Sequence, residues 1–279
     1  MIIYSPNNYF YPFVEDVLPL PKSPLVQCIT NVITVESVAN AVLYINAKPV
    51  MADEIPEFPE FMKQSDSLFL NLGHRFYGEQ NVILEAAKMA QKTKTPFVVD
   101  LVGVAAAKGR NELAHDLMEY HPTVVKGNIS EMRTFCGLKS GARGVDALAE
   151  DQSNNALHAL INAMKEVVEK HPDVILLATG KKDLIVSKKH SVFLKNGTTQ
   201  LDRFTGTGDI VGAMITSIIG AGVDPIKATI TAVSYLNLCA EKAMKNTLGL
   251  ADFRQETLNQ LSLLMNETEW YLNVRGGSI

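Results

Sequence analysis

The run Arg203-Phe204-Thr205-Gly206-Thr207-Gly208-Asp209 leads directly into Ile210-Val211-Gly212-Ala213-Met214-Ile215. Two glycines two residues apart, an acid, and then apolar residues at helical spacing predict a tight loop feeding a helix N-terminus. Such a place binds anions. The first turn of a helix leaves its N–H groups unpaired and carries the positive end of the dipole, and glycine lets a phosphate approach the backbone closely. Asp209 has two readings. It is an N-cap or first-turn acid that stabilises the helix by roughly 0.5–2 kcal/mol, or a base held beside a phosphoryl group in transfer. The loop alone leaves both open.

The loop fits neither of two familiar phosphate fingerprints. A Walker-type site needs G-x-x-x-x-G-K-[ST], and Gly180-Lys181 is followed by Lys182 and lacks the upstream glycine. The dinucleotide pattern needs a third glycine where Val211 stands, and Gly212 comes one residue too late.

Outward from the loop, short apolar runs alternate with helical patterns. Strands are expected at 24–29, 48–51, 68–72, 96–100, 123–126 and 174–178. Helices are expected at 32–45, 53–62, 79–92, 111–120, from about 129, and at 155–170, 226–246 and 253–265. Asp224-Pro225 caps the helix expected at 226–246, with proline at its first position. Short strands at 183–187 and 191–195 and on the approach to Arg203 suggest an antiparallel edge, and 137–152 reads as a loop. This alternation predicts an α/β fold, a mostly parallel sheet covered by helices on both faces. Residues 1–279 read as a single domain with an aromatic arm at 1–22, which packs on the body or on a neighbouring subunit.

Composition narrows the function. A net charge of −4 argues against nucleic acid as a partner. The first 21 residues hold no Lys or Arg and do not read as a signal peptide, and no run of 18 uncharged apolar residues suggests a membrane span. Three scattered cysteines, Cys28, Cys136 and Cys239, read as reduced thiols of a cytoplasmic protein. The six histidines show no zinc-ligand spacing, and His74 reads as a surface-loop residue.

Asp100 ends a predicted strand, where open α/β sheets gather ligands. Asn128 and Glu131 open a predicted helix. With Asp209 they form a candidate set for phosphoryl transfer: carboxylates for magnesium, an electropositive hole for developing phosphate charge, and a base on the acceptor side. Taken singly, Asn128 and Glu131 also read as a cap and a first-turn acid.

The order of the pieces resembles the hydroxyethylthiazole kinases, a ribokinase-like family. The matching pieces are Ile29-Thr30-Asn31, Pro49-Val50-Met51, Asn71-Leu72-Gly73, Asp100 with Val102-Gly103, Gly127-Asn128 with Ser130-Glu131, Ala178-Thr179-Gly180 with Asp183, and Thr205-Gly206-Thr207-Gly208. The resemblance implies phosphorylation of the hydroxyethyl group of 4-methyl-5-(2-hydroxyethyl)thiazole by MgATP in thiamine salvage. It assigns Asp209, Gly206, Thr207 and Gly208 to catalysis, and Met51, Gly206 and Asn31 to the thiazole alcohol. Lys126, Thr179, Asn128 and Asp100 are assigned to ATP, and Glu131 and Asp100 to magnesium. It also implies a homotrimer with sites at subunit boundaries. The chain departs from the family pattern at Asp209, where cysteine is usual, at Gln27 for histidine, at Lys126 for arginine, and at Leu101 for proline. A carboxylate with a pKa of about 3.9 is ionised at neutral pH, whereas a thiol near about 8.5 is mostly protonated.

Overall fold

The structure, a computed structural model, describes residues 3–4, 9–74, 82–139 and 153–279. Its strands are β1 (Ile3–Tyr4), β2 (Leu25–Ile29), β3 (Lys48–Val50), β4 (Ser67–Asn71), β5 (Phe97–Asp100), β6 (Val124–Asn128), β7 (Ile175–Thr179), β8 (Asp183–Val186), β9 (Ser191–Leu194) and β10 (Gly276–Ser278). They form one sheet in the order β1-β10-β9-β8-β7-β6-β5-β4-β2-β3. From β3 to β7 every pairing is parallel, and from β7 to β1 every pairing is antiparallel.

The helices are α1 (Tyr11–Val14), α2 (Val35–Tyr44), α3 (Phe58–Gln64), α4 (Val82–Thr93), α5 (Lys108–Met118), α6 (Ile129–Phe135), α7 (Asn154–Lys170), α8 (Thr207–Gly220), α9 (Pro225–Asn246) and α10 (Leu250–Leu263). One face of the sheet carries α1, α2, α8, α9 and α10 on a core that includes Val26, Phe69, Val98 and Val124. The other carries α3 to α7 on Leu68, Val99, Val125 and Leu176. Strand alternation thus sends successive side chains into two separate cores, as a sheet covered on both sides requires.

Helix α8 is buried along almost its whole length, from Asp209 to Gly220. An interior glycine weakens a helix by roughly 0.5–1 kcal/mol. Burying each of Ile210, Ile215 and Ile218 contributes about 1.5–3 kcal/mol, so packing outweighs the local propensity. Gly212 has its own reason: a Cβ there would lie 2.4 Å from the Phe69 ring on β4. The missing side chain lets α8 settle against the centre of the sheet.

Two expectations change, and one open alternative is decided. The approach to Arg203 is a 3-10 turn, Thr199–Arg203, in which the Thr198 hydroxyl accepts from the Gln200 N–H. Local side-chain bonding wins there over strand pairing. Strands β1 and β10 were not expected; β10 is Gly-Gly-Ser, with no apolar alternation to mark it, and is held by register on β9. The aromatic arm packs on its own body, with Phe10 and Val14 buried in the same core as α9. Residues 79–81 of the expected helix at 79–92, and most of the expected loop at 137–152, lie outside the described residues.

Candidate active site

The parallel strands deliver their carboxyl ends in register. Asn71 pairs with Asp100 and Asp100 with Lys126 across β4, β5 and β6. Asn128 pairs with Thr179 across β6 and β7. In β5, Val98 belongs to the core under α8 and Val99 to the opposite one, so Asp100 follows Val98 toward α8. The same alternation turns Lys126 that way. The result is a polar row beneath the N-terminus of α8.

At that N-terminus Gly206 adopts the left-handed conformation, φ +96°. A side chain is disfavoured there on backbone grounds, and a Cβ would also lie 2.9 Å from the Thr34 methyl. The first helical bond of α8 runs from Ile210 N–H to Gly206 carbonyl. The N–H groups of Thr207, Gly208 and Asp209 precede it and have no partner within the helix. This is the local geometry that the expected anion hole requires.

Lys126 is 2% exposed, and its Nζ lies 2.6 Å from Asp100 Oδ2. The same ammonium is 3.4 Å from where a Gly208 Cβ would stand, so its charge sits directly under the hole. Burial pushes the Asp100 carboxyl up to about 6; the Lys126 charge pulls it back and the Asp209 charge raises it further. Asp100 Oδ1 takes no hydrogen bond among the described residues.

Asp209 is 6% exposed, and its Oδ2 accepts from Asn31 Nδ2 at 2.9 Å and from the Thr34 hydroxyl. Its Oδ1 takes no hydrogen bond among the described residues. The other end of the Asn31 amide is held too, since its Oδ1 accepts the backbone N–H groups of Ile33 and Thr34.

Glu131 and Asn128 form a capping box at the start of α6. Glu131 Oε2 accepts from Asn128 N–H at 2.8 Å, and Oε1 accepts from Gly103 N–H in the loop after β5. Burial raises the Glu131 carboxyl to about 7; the Asp100 charge adds to the rise and the two N–H bonds oppose it. The cap reading of both residues is thus present. Glu131 is also close enough to Asp100 for the two charges to interact.

Thr179 donates to the Gly127 carbonyl at 3.3 Å. Met51 follows β3 and is half-buried against the core. Met51 and Thr179 are not brought together: five strand spacings separate β3 from β7, roughly 24 Å. Asp209 lies between them, beside the ends of β2 and β5.

Several contacts at the site carry no sequence signal. Thr34 touches Asp209 across 175 positions of chain. His74 is no surface-loop residue: its side chain is 10% exposed, its Nδ1 is 2.7 Å from the Thr30 carbonyl, and its Nε2 is 3.4 Å from Asp53 Oδ2. It ties the β2 and β4 ends to the loop after β3. Asp183 holds the Gly180 N–H at 3.0 Å and accepts from Asn237 on α9 at 2.9 Å, fixing the turn after Thr179. Such contacts belong to the tertiary fold, and no local spacing announces them.

The sequence pattern of the hydroxyethylthiazole kinase family matches residues 20–267. The chain belongs to that family. It is 55% identical over 275 residues, 98% of both chains, to the hydroxyethylthiazole kinase of Lacticaseibacillus casei (strain BL23). To that of Enterococcus faecalis (strain ATCC 700802 / V583) it is 51% identical over 262 residues, 94% of this chain and 96% of the relative. A solved hydroxyethylthiazole kinase from Pyrococcus horikoshii superposes with a TM-score of 0.81 at 26% identity, covering 95% of this chain and 99% of that one. A pyridoxal kinase from Staphylococcus aureus, solved with AMP-PCP and pyridoxal, reaches 0.55 at 15% identity over 80% of this chain and 88% of that one. The second likeness concerns the ribokinase-like fold alone. Membership of this family makes the chain a kinase, with ATP as its co-substrate.

Proposed function

We propose that this kinase transfers the γ-phosphoryl group of ATP to the hydroxyl of 4-methyl-5-(2-hydroxyethyl)thiazole, with Asp209 as base and the Gly206 to Gly208 backbone as anion hole. One observation carries the reading: a buried carboxylate at the mouth of the hole, with one oxygen held by Asn31 and Thr34 and the other left open. The alcohol gives its proton to Asp209 Oδ1 as its oxygen bonds to the γ-phosphorus. The bond from that phosphorus to the bridging oxygen breaks, and ADP leaves with the electron pair. Charge spread over the transferring group meets the N–H groups of Thr207 and Gly208 and the Lys126 ammonium, which is the electrostatic contribution such transfers depend on.

The alcohol lies on the Met51 side, against Gly206. Asn31 serves that end by orienting Asp209. ATP extends toward Lys126, Asn128 and Thr179. Two hard carboxylates at the same strand ends suit magnesium, which keeps phosphate and water ligands and takes one or two protein carboxylates. Asp100 offers its open Oδ1, and Glu131, with both oxygens already accepting N–H groups, would act through water. Bound there, the ion would offset charge on the phosphate oxygens. We also propose a homotrimer whose subunits meet beside this site, because Val32 and Ile33, next to Asn31, are 85% and 78% exposed.

The test is a panel of alcohols with MgATP, read by ADP release. The thiazole alcohol is expected to exceed hydroxymethylpyrimidine, pyridoxal and ribose by at least about tenfold in kcat/KM, roughly 1.4 kcal/mol of transition-state binding. Chelation of magnesium is expected to abolish turnover. Equal or reversed preference overturns the substrate assignment, and turnover that persists with chelator overturns the metal.

A further inference from the structure

Thr34 occupies the N-cap position of α2 and does not cap it: its hydroxyl bonds to none of that helix's N–H groups. Threonine is favoured at this position because its oxygen satisfies an otherwise orphaned first-turn donor. Here the hydroxyl turns away and donates to Asp209 Oδ2, on a helix 175 residues further along the chain. The Asn31 side-chain Oδ1 accepts the Ile33 and Thr34 N–H groups in the turn before that helix. Thr34 is 3% exposed, so solvent does not compete for the hydroxyl. Its methyl faces Gly206, filling the space a Cβ would need. One side chain therefore braces both the hole and the acid beside it.

We propose that Thr34 is a positioning residue for phosphoryl transfer. Its hydroxyl, together with the Asn31 amide, commits Oδ2 of Asp209 and so presents Oδ1 to the alcohol proton. A carboxylate free to rotate about its last bond would offer the acceptor oxygen in the right place only part of the time, whereas two donors on one oxygen fix the plane. The proposal rests on the reading of Asp209 as base.

Thr34 has two parts, a methyl and a hydroxyl, and two variants separate them. Thr34→Val keeps the shape and removes the donor; Thr34→Ser keeps the donor and removes the methyl. The measurements are kcat and KM for ATP and for the thiazole alcohol, for both variants and for Thr34→Val combined with Asp209→Asn. The expected result is a fall in kcat of about tenfold or more for Thr34→Val, in line with loss of a hydrogen bond to a charged group. KM for ATP is expected to stay within about twofold, Thr34→Ser to keep most of the wild-type kcat, and Thr34→Val to take nothing further from the residual rate of Asp209→Asn. Full activity in Thr34→Val overturns the proposal, as does a loss in Thr34→Ser equal to or larger than that in Thr34→Val, which would make the methyl the part that matters. An undiminished effect in the Asp209→Asn background also overturns it. An inactive Asp209→Asn beside a fully active Thr34→Val removes this proposal and leaves the base; an active Asp209→Asn removes both.

Discussion

Burial sets the chemistry of individual side chains in this kinase. It raises the carboxyls of Asp100, Glu131 and Asp183 to about 6, 7 and 7. At Asp183 two hydrogen bonds, from Gly180 and Asn237, oppose the rise without cancelling it. Unfolded, the same carboxyl titrates near about 3.9. Across the interval between the two values the folded protein holds a proton that the unfolded chain has released. The associated stabilisation is complete below the lower value and is lost as pH rises through the higher one. Wild-type stability is therefore expected to decline from pH 5 to pH 8 in denaturant titrations, and Asp183→Asn to remove about one proton's worth of that slope. An unchanged slope in the variant would mean that Asp183 is ionised in the fold across this range. Thr34, His74 and Asp183 show why parts of the site escape the sequence: each works through a partner brought near only by folding.

Among the elements, the Gly206 loop and α8 are the most legible. Paired glycines, an acid and a long apolar run have few physical solutions, and the structure has a left-handed Gly206 opening a buried helix. The strands of the parallel part were also legible; those covered on both faces read as largely apolar runs, and β3 is a short, partly exposed edge strand. Asp100, Lys126 and Asn128 follow from that, since the register of parallel strands brings their carboxyl ends together. Legibility ends where elements are short or poor in apolar residues. Strand β10 is three small residues on the β9 edge. The 199–203 turn carries apolar Leu201 among polar residues, which mimics a strand, yet that side chain packs toward Phe253 on α10. For Glu131 the sequence offers two alternatives, a cap and a metal carboxylate. The capping box is there, and its position beside Asp100 is what supports the proposed second role.

Across the whole molecule, the sheet sets Met51 and Thr179 far apart with Asp209 between, and the proposed function assigns the alcohol to the Met51 side and the nucleotide to the Thr179 side. The exposed Val32 and Ile33 adjoin this arrangement, and the proposed trimer would cover them. Sedimentation is expected to give a particle of about three chain masses, and Ile33→Lys to shift it toward monomer with loss of turnover; a wild-type monomer with full activity would remove the trimer from the account. The proposed chemistry turns on one carboxylate, Asp209, taking the alcohol proton. Asp209→Asn keeps the shape of the side chain and takes away the base; Asp209 stands in the first turn of α8, after the Gly206 N-cap, so no side-chain cap is lost. The decisive measurement is kcat of Asp209→Asn with the thiazole alcohol and MgATP, alongside its thermal stability and ATP affinity. A fall of about 10²–10⁴ in kcat is expected, with stability and ATP binding close to wild type; a stable Asp209→Asn enzyme that turns over at the wild-type rate would mean that Asp209 is not the base.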